Sequence, residues 1–230
     1  MTNLAIVPAR SGSKGVPDKN IRELKGTPLL SISIQDGLGA EHIDRVMLST
    51  DSEQYAEIGR DAGAEVPFLR PDDLAGDDSP VVNAVVYTLE TISEPIDNIA
   101  TITLLEPTSP FRKPHHIDSA LQQLSEKDYN SVVSVEPVTR MPENIFVKNE
   151  EGLERYIKEP QNRHTHRQEM DHLCRINSAV WSVGTDIFMR ERDLSPDPIG
   201  YVEMKPEESV NINTPLDFKV AEALADEQLS

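Results

Sequence analysis

Three basic side chains near the N-terminus are spaced to bind a phosphate chain. The apolar run Leu4–Pro8 leads into a loop that contains Arg10, Lys14 and Lys19. Two glycines in this loop permit positive φ and close backbone approach, so its amide groups can point at anionic oxygens. The formal net charge of the chain is −18. Phosphate binding must therefore depend on this local basic cluster rather than on the overall field.

The loop matches neither of two common nucleotide-binding fingerprints. It has no Gly-Lys-Ser/Thr at the required offset, and it has no Gly-x-Gly-x-x-Gly. A glycine-rich loop after a strand is a weak signal by itself. On the residues of this segment alone, an ordinary strand-to-helix turn remains an alternative.

The elements that would position this loop alternate along the chain. The sequence predicts strands at 4–9, 45–50, 65–68, 99–105, 131–135, 178–183 and 201–204. It predicts helices at 28–38, 52–62, 79–91 and 114–126, one from 185, and a terminal one at 215–226. Ser52 is a typical N-cap and Gly63 a typical stop for the second helix. This alternation predicts an α/β fold with parallel strands and crossover helices.

The alternation of predicted strands and helices is interrupted between residues 137 and 174. Prolines interrupt short strand-like pieces there, and a polar stretch follows them. We interpret 137–174 as an excursion inserted into one α/β domain formed by 1–136 and 175–230. The pair His164 and His166 suggests a metal site, but without a third ligand a structural or surface role is favoured.

Composition restricts the possible partners and compartment. The chain has 230 residues and one cysteine, Cys174, which cannot form an internal disulfide. No apolar stretch approaches the roughly 20 residues that a membrane helix needs, and no signal peptide pattern is present. We therefore expect a cytoplasmic protein. The acidic charge argues against nucleic acid polymers and anionic membranes as partners, and it would also suit a high-salt environment.

Two segments carry a resemblance to a known family. The run Ile6–Gly15, followed by Lys19 and Asn20, closely resembles the N-terminal signature of the acylneuraminate cytidylyltransferases, which make CMP-activated nonulosonic acids. The segment Leu104–Pro110 resembles that family's Leu-Leu-Gln-Pro-Thr-Ser-Pro. In all, five separated segments match in the right order over nearly the whole chain. The resemblance implies a three-layer Rossmann-like nucleotidyltransferase fold with a mostly parallel sheet and a small dimerisation arm.

The resemblance implies that CTP is one substrate. Its expected nucleotide contacts are Ala9, Arg10, Ser11, Gly12, Lys14, Gly15, Asn20 and Arg70. Arg10, Lys19 and Glu106 are the expected catalytic residues. The implied reaction is in-line attack of the sugar's anomeric hydroxyl on the α-phosphate of CTP, with pyrophosphate leaving. Catalysis would be mostly alignment and charge neutralisation, with Mg²⁺ as cofactor.

The second implied substrate is an acidic nine-carbon sugar. Its expected contacts are Glu106, Arg167, Gln168, Arg175 and Asn177. A guanidinium is a bidentate and permanently charged partner for a carboxylate, so Arg167, plausibly from a second subunit, would bind the acid group. Arg175 is an alternative partner. The 137–174 arm would pack on that subunit, which predicts a homodimer.

The sequence departs from the family where the catalytic metal binds. The family has two aspartates in its C-terminal segment, whereas this chain has Asn211 and Asn213. Amides bind a hard dication more weakly than carboxylates do. Conversely, Glu106 stands where the family has glutamine, so it is a candidate metal ligand together with Asn211 and Asn213. The alternative is that Glu106 contacts the sugar.

Two other functional classes remain open at this stage. With its metal ligands lost, the chain could be a non-catalytic nucleotide-sugar binder. It could also be a nucleotidyltransferase for a different base or sugar. Sialic, legionaminic and pseudaminic acids are not distinguished, and the family's substrate-facing lysine is absent from Met141–Asn144.

Overall fold

The computed structural model describes residues 1–12, 16–76, 79–138, 144–157 and 173–229. Its strands are β1 (Thr2–Pro8), β2 (Glu23–Leu24), β3 (Thr27–Pro28), β4 (Arg45–Ser49), β5 (Ile99–Leu104), β6 (Ser131–Pro137), β7 (Phe146–Asn149), β8 (Gly152–Arg155), β9 (Cys174–Gly184) and β10 (Ile199–Glu203). Its α-helices are α1 (Leu29–Gly39), α2 (Glu53–Asp61), α3 (Val81–Thr91), α4 (Pro114–Glu126), α5 (Thr185–Glu191) and α6 (Pro215–Gln228).

Six of these strands form the central sheet, in the order β10-β6-β9-β5-β1-β4. Strand β9 runs antiparallel to β5 and β6, and the other five strands share one direction. The prediction of a mostly parallel sheet is confirmed. Strand β9 begins four residues earlier than the apolar run suggested, because Arg175 and Ile176 pair with β6 although they are exposed.

Helices cover both faces of the sheet. Ala5 and Val7 of β1 point into a core with α1, α2 and α4, whereas Leu4 and Ile6 point into a second core with α3 and α5. A strand that is buried on both faces has a continuous apolar sequence, and Leu4–Val7 has one. The predicted three-layer arrangement is therefore confirmed.

Helix α6 belongs to a third, smaller core. Its Phe218 packs with Leu24, Leu29, Phe111 and Ile212. Thr214 caps the helix, and its side-chain oxygen accepts a hydrogen bond from the backbone N–H of Asp217 at 3.3 Å. This core anchors the segment just before α6 against the end of the sheet.

Local signals gave correct helix ends but one wrong strand. The Ser52 hydroxyl oxygen accepts the Tyr55 N–H at 3.4 Å, as an N-cap does. Gly63 has a φ of +99°, as expected after a helix. The predicted strand at 65–68 is wrong, because only Glu65 bridges to a strand residue, Met47. Val66 and Phe68 are residue types that favour strands, but here they pack against the two cores without strand pairing.

Part of the predicted arm is described. Strands β7 and β8 form a separate antiparallel hairpin, and all their residues are exposed. The prediction for His164 and His166 falls outside the described residues. Within the described ranges, no helix is long and apolar enough to cross a bilayer.

Candidate active site

The candidate site lies at the carboxyl edge of the parallel strands. Strands β1, β4 and β5 end side by side there, since β1 pairs with both of the others. Ligands of open α/β sheets bind at this edge. The segments that follow the three strands begin at Ala9, Thr50 and Leu105. The buried Ala9 continues the ladder by donating its N–H to the Ser49 carbonyl at 3.0 Å.

Asp51 fixes the start of the glycine loop. Its carboxylate accepts the Ser11 N–H at 2.8 Å and the Ser11 hydroxyl at 2.5 Å. Ser52 is the N-cap of α2, as the sequence predicted, so Asp51 is not the capping residue. Gly12 follows with a φ of +73° and with no atom within 4 Å of the position of a Cβ. The loop therefore leaves the sheet in a conformation that favours glycine.

Two arginines meet beside this loop. Arg70 is only 5% exposed, and its Nη2 lies 3.9 Å from Asp51 Oδ1. Its Nε and Nη2 have no hydrogen-bond partner among the described residues. Burial lowers the pKa of Arg70, Asp51 opposes the shift, and nearby Arg10 adds to it. Arg10 also donates to the Ala75 carbonyl at 3.5 Å. Buried N–H groups without acceptors favour an anionic ligand.

Arg10 borders an open cleft of about 340 Å³, and Arg70 lies beside Asp51, outside the lining of that cleft. The cleft is lined by Arg10, Ser11, Gly12, Asp51, Asp72, Ala75 and Gly76. The opposite end of the loop is fixed by the buried Asn20, whose Nδ2 donates to the Arg10 carbonyl at 3.0 Å. The loop backbone and the Arg10 side chain thus face one space, and Asn20 holds the loop from outside it.

Lys19 joins this loop to the segment before α6. Its Nζ donates to Asn213 Oδ1 at 3.3 Å. Burial lowers the pKa of Lys19, and the Glu106 carboxylate partly offsets that shift. Arg10 and Asp217 act on the same charge in opposite directions. The ammonium of Lys19 therefore lies among the predicted catalytic and metal-site residues.

Glu106 follows β5 and is partly buried. Its Oε2 accepts the Thr108 hydroxyl at 3.2 Å. Burial raises the pKa of the Glu106 carboxyl, and the Thr108 hydrogen bond and the charges of Lys19 and Arg112 oppose this rise. The Glu106 carboxyl group can therefore form a hydrogen bond to a ligand at the carboxyl end of β5.

Arg112, to which no sequence motif assigned a role, holds the backbone of Glu106. This fully buried guanidinium donates to the Glu106 carbonyl at 3.3 Å and to the Ala179 carbonyl at 2.8 Å. It also contacts Asp36, whose pKa burial raises to about 6. The sequence signal for a buried arginine was its position directly after the apolar Phe111. Its partners Ala179 and Asp36 lie 67 and 76 residues away, so the sequence could not identify them.

The two asparagines of the predicted metal site are already hydrogen-bonded. Asn213 Nδ2 donates to Asn211 Oδ1 at 2.9 Å, and Asn213 Oδ1 accepts from Lys19. Asp217 Oδ2 accepts the N–H groups of Asn213 and Thr214 as part of the helix cap. No group of three His, Cys, Asp or Glu residues in the described part of the chain could hold a metal. This donor set fits a protein-held Mg²⁺ poorly.

A second, larger cleft of about 520 Å³ lies beyond the asparagines. Its lining includes Glu136, Arg175, Ile176, Asn177, Ser178, Pro206, Ser209, Val210, Asn211, Asn213, Asp217 and Val220. Arg175 pairs with Glu136. The Asn177 amide bonds to Ser134 and Ser209, so this residue mainly shapes the wall. Ser178 has a φ of +64°, a conformation that favours glycine.

The structure brings most of the predicted site residues together. Arg10, Ser11 and Gly12 border the smaller cleft, Asn211 and Asn213 the larger one, and Lys19 connects the two sides. The predicted contacts Lys14, Gly15, Arg167 and Gln168 fall outside the described residues.

Comparisons with known proteins identify the family of this chain. A family profile described as cytidylyltransferase matches residues 4–224. The chain belongs to the cytidylyltransferase family. It is 32% identical over 235 residues to the CMP-N,N'-diacetyllegionaminic acid synthase of Legionella pneumophila, and the match covers 97% of this chain and 96% of that protein. The resemblance detected in the sequence is confirmed.

Other cytidylyltransferases are similar over most of this chain. The N-acylneuraminate cytidylyltransferase of Streptococcus agalactiae serotype V is 31% identical over 222 residues, which cover 95% of this chain and 52% of that protein. This chain therefore spans about half the length of that relative. A solved CMP:2-keto-3-deoxy-manno-octonic acid synthetase, complexed with CTP, has a TM-score of 0.72 at 14% identity, with 99% of each chain covered. That likeness confirms the nucleotidyltransferase fold.

Proposed function

We propose that the protein transfers CMP from CTP to an acidic nonulosonic sugar and releases pyrophosphate. The observation that carries this proposal is the position of Lys19, which links the basic loop of the smaller cleft to Asn213 at the rim of the larger one. A cation at the junction of a nucleotide cleft and a sugar cleft lies where the two anionic substrates must meet. The activities of the similar proteins, a CMP-N,N'-diacetyllegionaminic acid synthase and an N-acylneuraminate cytidylyltransferase, support CTP and a nonulosonic acid as those substrates.

The nucleotide occupies the smaller cleft in this proposal. Ser11 and Gly12 present loop backbone to the phosphates, and Arg10, Arg70 and Lys19 supply positive charge. The unpaired buried N–H groups of Arg70 gain acceptors when an anion binds. Lys14 and Gly15 extend this contact, and Asn20 holds the loop by its bond to the Arg10 carbonyl.

The sugar occupies the larger cleft, and its anomeric hydroxyl attacks the α-phosphorus from the Lys19 side. Alignment and charge neutralisation then provide the catalysis, without a covalent enzyme intermediate. We assign Glu106 to the sugar as a hydrogen-bond acceptor, since its side chain is partly buried and already accepts one hydroxyl, that of Thr108. Arg167 and Gln168 complete the sugar site.

We expect Mg²⁺ to be supplied as its complex with CTP, where it would neutralise phosphate charge. The hydrogen bonds at Asn211 and Asn213 favour this arrangement over a metal held by the protein. A ligand role for Glu106 is the alternative, and it predicts a different Mg²⁺ dependence after substitution.

We also propose a homodimer in which the 137–174 arm packs on the second subunit. The β7–β8 hairpin exposes 39% of Phe146, 46% of Val147 and 70% of Leu153. An isolated two-stranded hairpin is marginally stable in water, and an exposed apolar patch of this kind favours an interface. Light scattering at assay concentrations tests this proposal, and a fully active monomer would contradict it. The proposed compartment is the cytoplasm.

A substrate screen tests the proposed reaction. Steady pyrophosphate release is measured with CTP, UTP, GTP and ATP against several nonulosonic acids. We expect release with CTP and at least one such acid. Release with another base only would indicate a different nucleotidyltransferase.

The hydrogen-bonded asparagines favour a second candidate, a non-catalytic nucleotide-sugar binder. Binding of CTP without pyrophosphate release from any pair in the screen would support that candidate. It would also contradict the proposed enzyme.

A further inference from the structure

The larger cleft contains an ion pair that the proposed reaction does not use. Glu136 of β6 and Arg175 of β9 face each other across the antiparallel pair. Arg175 Nε and Nη2 contact Glu136 Oε1 at 2.8 and 2.7 Å. Both contacts fall on one oxygen, and Glu136 Oε2 accepts no hydrogen bond from the described residues.

The two partners differ in exposure. The side chain of Glu136 is 11% exposed, whereas that of Arg175 is 71% exposed. Both residues line the cleft. The pair therefore presents a carboxylate acceptor at the wall, next to a guanidinium whose remaining N–H groups are available to a ligand.

Apolar surface lies beside this pair. Ile176 and Val220 are each 42% exposed, and both line the same cleft with Pro206 and Val210. Single exposed apolar side chains are common, but four apolar residues in the lining of one polar cleft offer a contact for a small alkyl group.

This combination selects among the groups that a sugar can present. A carboxylate is disfavoured because Glu136 already balances the charge of Arg175 and would repel a second anion. A hydroxyl would satisfy one polar partner and leave the apolar wall unused. An acylamino group matches all three features: its N–H donates to Glu136, its carbonyl accepts from Arg175, and its alkyl group contacts Ile176 and Val220.

We propose that Glu136 and Arg175 form a subsite for an acylamino substituent of the sugar. This inference rests on the proposed function, and it gives Arg175 a role other than binding the acid group. A substrate that carries hydroxyl in place of the acylamino group can satisfy only one of the two polar partners, and a polar pocket discriminates strongly against a ligand that leaves one of its hydrogen-bonding groups without a partner.

The test uses three nine-carbon 2-keto acids with CTP. One carries acetamido groups at C5 and C7, and each of the other two has a hydroxyl in place of one acetamido group. We expect one replacement to lower the wild-type kcat/KM by about 10- to 100-fold, as loss of a hydrogen bond to a charged group does. In Glu136→Ala the ratio of kcat/KM for the diacetamido acid to kcat/KM for that hydroxyl-substituted acid should fall to within about threefold of unity. KM for CTP should be unchanged.

Two further variants make the result decisive. Arg175→Ala alters an exposed side chain, so it should fold even if Glu136→Ala does not, and it should also reduce the discrimination. Glu203→Gln changes an exposed carboxylate on neighbouring β10, outside the cleft lining, and should retain the wild-type ratio.

Active enzyme that discriminates equally with and without the Glu136–Arg175 pair would overturn the subsite. Wild-type enzyme that does not distinguish the three acids would overturn it as well. No pyrophosphate release from any acid would instead refute the proposed function.

Discussion

The charge of Lys19 should account for a large part of the rate. Lys19→Met removes the ammonium and keeps an apolar stem of similar length. An ammonium about 4 Å from a phosphate oxygen contributes roughly 4 kcal/mol at an effective dielectric constant of about 20. If that interaction develops in the transition state, its loss lowers kcat/KM by about 10³-fold. Glu106 and Asp217 act on the same site and would then repel the phosphates without a compensating cation.

Stability should change little in the same variant. The Lys19–Asn213 hydrogen bond lies at an exposed position. Exposed contacts of a charged side chain contribute about 0–1 kcal/mol to the free energy of unfolding. A thermal melt should therefore shift by only a few degrees, so a loss of rate cannot be attributed to unfolding.

The assay is continuous pyrophosphate release, from which kcat/KM for CTP is obtained at saturating sugar. Lys219→Met provides a matched control, since Lys219 is an exposed lysine on α6. Lys19→Arg keeps the charge and should retain more activity than Lys19→Met. If Lys19→Met keeps more than about a tenth of the wild-type kcat/KM, our placement of this ammonium at the reacting phosphates is wrong.

Three further outcomes follow from the structure. Because burial lowers the pKa of Lys19 below its usual 10.5, kcat/KM should fall on the alkaline side below that pH. Lys19→Arg should move the alkaline fall in kcat/KM to higher pH, because arginine stays charged at alkaline pH. Glu106→Gln should raise KM for the sugar and leave the Mg²⁺ concentration for half-maximal rate unchanged; a raised Mg²⁺ requirement that Asn213→Asp rescues would instead make Glu106 a metal ligand. Gly59→Ala should lower the free energy of unfolding by about 1–3 kcal/mol, since its Cβ would lie 2.3 Å from Leu48 Cδ2; an unchanged denaturant midpoint would contradict this close packing.

Apolar periodicity and capping residues predicted most of the fold because those signals are local. The run Leu4–Val7 is buried on both faces of β1 and is apolar throughout. Helix α4 has the predicted bounds, with Pro114 at its first turn. The strand predicted at 65–68 is wrong because only Glu65 makes a bridge, to Met47. Whether a segment pairs as a strand depends on the strand beside it, which the residues of the segment do not show.

The candidate site was predictable where a motif defined it and missed where contacts are distant in sequence. Arg10, Lys19 and Glu106 come from recognisable segments. Asp51 binds Ser11, 40 residues away, and no pattern within either segment indicates that contact. The Glu136–Arg175 pair depends on the register of two antiparallel strands, so no spacing within either segment could indicate it.

The buried Arg112 has a mechanical consequence. One guanidinium holds the carbonyl of Glu106, at the end of β5, and the carbonyl of Ala179, on β9. The strand end that faces the reacting phosphates and the strand that lines the sugar cleft are thereby braced to each other. Any closing motion that brings CTP and sugar into line must therefore hinge elsewhere. The glycine loop after β1 and the exposed β7–β8 hairpin lie outside this brace, so we expect substrate-dependent changes in hydrogen exchange in those two regions and little change where β5 and β9 pair.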